Sequence, residues 1–254
     1  MAHTLALLSP VAGLHFDEPS HTYSIEHKYL GTLVVPSTTQ VMAATGAKCL
    51  NYSAWRQSLI RNGTCQTDEQ ADAFMEQHRN HRAMVGTQLH HLIEAHLLDR
   101  EPIEVDPEVQ VMFQTWLKEF YPRIGTVFIA EEPMLHRAYF YCGTPDLLAE
   151  VDGVLVLADW KSQQQGKEKV RSEWGLQVGA YCELVRACHG VTVAKATMTI
   201  VTVDNVRLVP YNRADIVQGW QRYAGFLAEF HALQAKLGST SHHIALTAME
   251  NLFR

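Results

Sequence analysis

The segment from Gly143 to Lys161, GTPDLLAEVDGVLVLADWK, constrains the fold more than any other part of the chain. Asp152-Gly153 is a strong signal for a two-residue type I′ turn, in which both residues take positive φ and the flanking strands pair as a hairpin. The turn sets the register: Val151 faces Val154, and counting outward puts Asp146 directly opposite Asp159. Side chains alternate along a strand, so Leu147, Ala149, Val151, Val154, Val156 and Ala158 share one apolar face. Asp146, Asp159 and Lys161 share the other.

Carboxylates facing each other across a sheet, with Cβ atoms about 4.5 to 5.5 Å apart, destabilise it unless something positive lies between them. A divalent cation is the simplest remedy, and Lys161 projects on the same side as the pair. A metal that polarises a phosphate and acidifies a bound water, beside a lysine that orients that water, suits phosphodiester hydrolysis. The plain alternative is two solvated surface aspartates with a neutralising lysine.

Three motifs place this hairpin in a family context. Pro145-Asp146 followed by Asp159-Trp160-Lys161 resembles the signature of the PD-(D/E)XK nuclease superfamily. Upstream, Gly86, His90 and Glu94 match the G-x-x-x-H-x-x-x-E helix of its RecB-type exonuclease branch, and downstream Gln177 and Tyr181 match that branch's Q-x-x-x-Y. The order and spacing are also similar to mitochondrial genome maintenance exonucleases and related phage and bacterial exonucleases. That likeness includes Pro36-Ser37-Thr38-Thr39 and Glu131, and spans roughly residues 20 to 230.

The resemblance implies a restriction-endonuclease-like α/β core, a mixed central sheet flanked by helices, with an N-terminal helical region. It implies a metal-dependent DNA exonuclease of recombination, repair or replication. His90, Asp146, Asp159 and Glu131 would hold Mg²⁺ or Mn²⁺, and Asp146, Asp159, Lys161, Gln177 and Tyr181 would form the catalytic set. Gln177 and Tyr181 would contact the substrate phosphates or position Lys161. Glu132, adjacent to Glu131, points the other way. Glu94 is either an orienter of His90 or an ordinary helix charge, and the Trp160 carbonyl is a further candidate ligand. Some RecB-type nucleases hold an iron-sulfur cluster with one early cysteine and three near the C-terminus; no cysteine follows Cys188, so no cluster is expected. The alternatives are a structure-dependent endonuclease of the same fold and a catalytically inactive nucleic-acid-binding module.

Charge and cysteines narrow the remaining classes. A net charge of -6 argues against bulk electrostatic coating of nucleic acid and allows a local basic track. Arg56, Arg61, Arg79, Arg82, Lys167, Lys169 and Arg171 are candidates for it. Five cysteines (Cys49, Cys65, Cys142, Cys182 and Cys188) with no C-x-x-C pair argue against disulfides and zinc. The N-terminus lacks a signal-peptide pattern and no segment could cross a bilayer, so a cytoplasmic protein is expected. DNA is the expected partner, with a recombination or single-strand-binding protein as a further candidate. No Walker A pattern occurs, so ATP-driven activity would have to come from a partner.

Along the chain, residues 21–35 predict a hairpin, and Pro36-Ser37 starts a helix that Gly46 ends. Helices are expected over 52–98 with a break at Asn62-Gly63, and again through Val111, Phe113, Trp116, Leu117 and Phe120. Strands follow at Thr126–Glu131 and Leu135–Tyr141, then the hairpin, a helix over 173–188, a strand pair and a helix through Ile216 to Phe230. The expected divisions are 1–85, a hairpin and helical region shaping the DNA channel; 86–237, the nuclease core; and 238–254, a linker and tail.

Overall fold

The computed structural model describes residues 3–17, 20–29, 31–48, 51–238 and 242. A short strand β1 (Thr4–Leu5) precedes a three-stranded antiparallel sheet of β2 (Leu14–Asp17), β3 (Thr22–His27) and β4 (Gly31–Val35). Strand β2, only LHFD, is too short to show a period. Ser37 then caps α1 (Thr38–Ala44) through a capping box: its hydroxyl accepts from Gln40 N–H and the Gln40 side chain accepts from Ser37 N–H.

Next come α2 (Tyr52–Arg61) and the long α3 (Asp68–Leu97), separated at Asn62-Gly63 as expected. Thr67 caps α3, and Asp68 and Glu69 complement its dipole. The division drawn at residue 85 falls inside this continuous helix. In α4 (Pro107–Glu119), Pro107 sits in the first turn and sets the phase. Val109, Met112, Phe113 and Trp116 therefore face inward and Val111 is exposed.

β5 (Ile124–Ala130) leads to β6 (Met134–His136) and β7 (Tyr141–Gly143), which replace the single strand expected over 135–141. The His136 ring accepts from Tyr139 N–H and its carbonyl from Phe140 N–H, and Phe140 takes φ 49°, so the chain turns back there. The hairpin strands are β8 (Leu147–Val151) and β9 (Val154–Ser162), with Val151 opposite Val154 and φ of 51° and 75° at Asp152 and Gly153. Helix α5 (Trp174–His189), strands β10 (Lys195–Val201) and β11 (Val206–Tyr211), and helix α6 (Arg213–Lys236) complete the described chain. Cys49 and the tail segment ALTAMENLFR lie outside the described residues, as does the expected linker apart from Gly238 and His242.

The main sheet has the order β1-β5-β8-β9-β10-β11 and is mixed, with β9 parallel to β10 and β8 antiparallel to both neighbours. Helix α5 makes the crossover that the parallel β9–β10 pair requires. Helices α3 and α4 cover one face, where Leu89, Ile93, Trp116 and Phe120 pack on Leu147, Ala149, Ala158 and Trp160. On the other face lie α5 and α6, whose Leu184, Tyr223 and Leu227 pack with Leu148, Leu157 and Met198. Both faces of the hairpin are thus covered, and only Val154 at the turn is exposed among the expected apolar set.

Helices α5 and α6 meet backbone to backbone. A Cβ on Gly219 would lie 2.0 Å from the Gly175 carbonyl oxygen, and one on Gly179 2.1 Å from the Trp220 nitrogen. Only glycine fits at these two positions.

Candidate active site

The hairpin ladder ends with Leu147 opposite Ala158, so Asp146 and Asp159 follow immediately, both almost fully buried. Three groups answer their charge. Trp160 N–H donates to Asp146 Oδ2 at 2.5 Å, and Gln177 Nε2 donates to Asp159 Oδ2 at 3.1 Å. The Lys161 ammonium pairs with Asp159 Oδ1. Helix α5 supplies Gln177 and, one turn on, Tyr181, whose hydroxyl accepts from the same Gln177 amide at 3.1 Å.

Two further residues arrive from other elements. His90, on α3, places Nδ1 2.9 Å from Glu131 Oε1 and 3.4 Å from Asp146 Oδ1, and its Nε2 lies 3.3 Å from the Trp160 carbonyl. Glu131 follows β5 with φ 50°, and its N–H donates to the Asp146 carbonyl at 3.1 Å. A left-handed conformation at a non-glycine residue costs on the order of 1 kcal/mol or more, a strain that clusters at functional sites. It is held here where it turns one acidic side chain into the site. Burial, and the nearby Glu94, push the neighbouring Glu132 carboxyl up.

Charge in this centre is lopsided. Burial, then Asp146, drives the Asp159 carboxyl up to about 6 against the pull of Lys161. Burial also raises Asp146, with Glu131 adding to it and His90 opposing. Burial alone would lower His90, but Asp146 and Glu131 outweigh it and raise it well above the usual imidazole range. Lys161 follows the same logic, with Asp159 outweighing its burial. Three carboxylates are therefore crowded around one ammonium and an imidazole that must itself carry a proton.

A divalent cation fits this donor set. His90, Glu131 and Asp146 each offer a ligand atom, all within 4.8 Å of one another. Two carboxylates and an imidazole are hard-to-borderline donors suited to Mg²⁺ or Mn²⁺, and a cation there would take over the role of the His90 proton. Asp159, across the hairpin from Asp146, meets Lys161 and Gln177.

Several expected neighbours lie elsewhere. Glu94 pairs with Arg100 at 2.7 Å rather than with His90. In the proposed basic track, Arg56 is neutralised by Asp72 and Arg82 by Glu108. Tyr141 and Trp160 pack in the core, Tyr141 donating to the Ala180 carbonyl at 3.0 Å, and the Trp160 carbonyl stays at the site, 3.3 Å from His90 Nε2. Two residues escaped the sequence reading. Tyr23, from β3, meets the Thr144 hydroxyl at 2.6 Å and so anchors the chain two residues before Asp146. Its inward place in the alternating stretch HTYSIEH was the available signal. Lys48, in the connection after α1, lies in the field of Lys161, and no sequence pattern points to it.

A mixed sheet between helix layers, with an acidic cluster and a lysine where a hairpin opens, defines a phosphodiester-cutting class of protein. A family model of the PD-(D/E)XK nuclease superfamily matches residues 61–247, and the chain belongs to that superfamily. Nuclease chemistry, a nucleic-acid substrate and use of divalent metal come with that membership. Comparison with curated proteins gives no match.

Proposed function

We propose that this chain is a Mg²⁺- or Mn²⁺-dependent deoxyribonuclease of the RecB-type branch that degrades linear DNA from an end, in recombination, repair or replication. The observation that carries the reading is the convergence of His90, Glu131 and Asp146 beside the Asp159–Lys161 pair. His90, Glu131, Asp146 and Asp159 are the residues to hold metal. When bound, the metal supplies charge stabilisation at the phosphate and a more acidic water.

The chain's own groups supply the rest. Lys161 presents its ammonium to the attacking water and the scissile phosphate, with Asp159 fixing its direction. Gln177 and Tyr181 are positioning residues, since both are buried and Gln177 holds Asp159 rather than facing solvent. The motif order Gly86, His90, Glu94 and Gln177, Tyr181 supports the exonuclease branch over an endonuclease.

The test is cleavage of end-labelled linear single- and double-stranded DNA beside a closed circle, with Mg²⁺, Mn²⁺ or EDTA, by wild type and Lys161→Ala. Metal-dependent loss of linear DNA that spares the circle and fails in the variant supports the proposal. Cutting of the circle replaces it with an endonuclease, and no cleavage under any condition replaces it with a binding module.

A further inference from the structure

Between the start of α5 and the edge strand β11 lies a cleft of about 510 Å³, whose wall includes Arg171, Ser172, Gly175, Tyr211, Asp215 and Arg222. It belongs to no part of the site described above, yet it borders that site. Asp159 pairs with Met198 and Met198 with Val209, another residue of the cleft wall, so the catalytic carboxylate and the cleft lie two strand spacings, about 10 Å, apart. Tyr211 stands within the field of Asp159 and Glu173.

Cations dominate the approach. Arg171 has only a loose contact with Glu173, at 3.8 Å and on a half-exposed side chain. Among the described residues, Arg222 and Lys48 have no ion-pair partner. The single carboxylate on the wall, Asp215, caps α6, accepting from Asn212 N–H at 2.9 Å, and keeps its negative charge there. Partial desolvation first, then the like charges of Lys161 and Arg171, lower the Lys48 ammonium pKa against the pull of Glu173 and Asp159. The cleft wall thus carries two guanidiniums, Arg171 and Arg222, against the one carboxylate of Asp215.

We propose that this cleft is a phosphate subsite, in which Arg171 and Arg222 bind the backbone phosphate of a nucleotide flanking the scissile one. The proposal rests on the nuclease reading, because that reading puts the scissile phosphate beside Lys161. Its ligand is a phosphate group of the substrate strand, internal or terminal. Tyr211, on the same wall, is the group left to meet the sugar or base that follows it.

The test uses the full chain. Binding of a fluorescent oligonucleotide, with and without a terminal phosphate, is measured in EDTA across a salt series for wild type, Arg171→Ala/Arg222→Ala and Arg207→Ala. Cleavage kinetics in Mn²⁺ accompany it. Arg207, exposed on β11 and absent from the cleft wall, controls for loss of general charge. Losing charge-assisted phosphate contacts should weaken binding roughly tenfold or more in the double variant. The slope of log affinity against log salt should fall by about 0.7 per lost contact on a single strand. KM should carry the cleavage defect. An effect confined to the end-phosphorylated oligonucleotide assigns the cleft to a terminal phosphate, and an equal effect on both assigns it to an internal one.

If the double variant matches Arg207→Ala in affinity and slope, the cleft is not a subsite, even where the protein cleaves DNA. If the slope falls as expected but wild type cleaves nothing, the subsite stands and the nuclease reading fails.

Discussion

Two buried clusters in this chain combine carboxylate, histidine and cation, and they are built to opposite ends. At the packing of α5 on β6, Glu183 receives Arg186 Nε at 2.7 Å and lies 3.4 Å from His136 Nε2. Burial would push the Glu183 carboxyl up, but those partners outweigh it and hold it at about 2. At the hairpin mouth three carboxylates compete for one lysine and one histidine, and burial wins at Asp146 and Asp159. A cluster that satisfies its charge holds a fold together. One that keeps surplus negative charge out of water is suited to hold a cation.

The sharpest way to break this contrast is Asp159→Asn. Cleavage should fall by about a thousandfold or more, because the variant removes charge used in the transition state. Thermal stability without metal should change little, since Asn keeps an acceptor for Gln177 while Asp146 and Glu131 still answer the Lys161 charge. A melt that drops together with activity would make the site a structural network like that of Glu183.

Metal addition gives the next largest effect. At a hundred times its Kd, Mn²⁺ should stabilise wild type by about 2.7 kcal/mol, reversed by EDTA, with little effect on Asp146→Asn. Equal shifts in both proteins, read by calorimetry, would remove Asp146 from the ligand set.

Glu183→Gln should do the reverse of Asp159→Asn, costing about 1–2 kcal/mol at neutral pH, since Arg186 is half-exposed and the pair partly screened. Its pH signature has a definite sign. The folded carboxyl ionises at about 2, below the ordinary glutamate value near 4.3, so its contribution is present above that value and is lost as pH falls toward 2. His231, buried against His242 with 2.7 Å between their Nδ1 atoms, titrates at about 4 because burial penalises its charge. Its contribution is complete above about pH 6.5 and is lost as pH falls from there toward 4. Acid melts should therefore show two losses, and Glu183→Gln should flatten only the lower one.

Smallest of all is Arg56→Ala. Its pairing with Asp72 joins two exposed side chains, and loss should change stability by under about 1 kcal/mol, with cleavage unchanged if Arg56 is no part of a basic track.

The hairpin was legible because one turn type propagates its register through every residue to Asp146 and Asp159. The helix stripe Leu89, Leu92, Ile93 and Leu97 was legible because a helical period repeats enough times to stand out. What stayed hidden is set by tertiary closure. Glu94 turns to Arg100 and away from His90, a choice that depends on where the chain runs after α3. Gln177 reaches Asp159 only because α5 crosses at one height. Tyr23 and Lys48 come from segments far from the hairpin in sequence, and only folding places them near it.

The bare contact between α5 and α6 reaches further than packing. Gly175, Gly179 and Gly219 let two backbones touch, and Gln177 sits between the first two of these positions. The height at which its amide meets Asp159 is thus inherited from a helix that contributes no group to the acid cluster. Among descendants of this sequence, bulk acquired at position 219 would have to be answered by a shift of α5, and with it of the carboxylate. The freedom of these lineages to vary α6 is limited at this one crossing by the chemistry on the far side of the neighbouring helix.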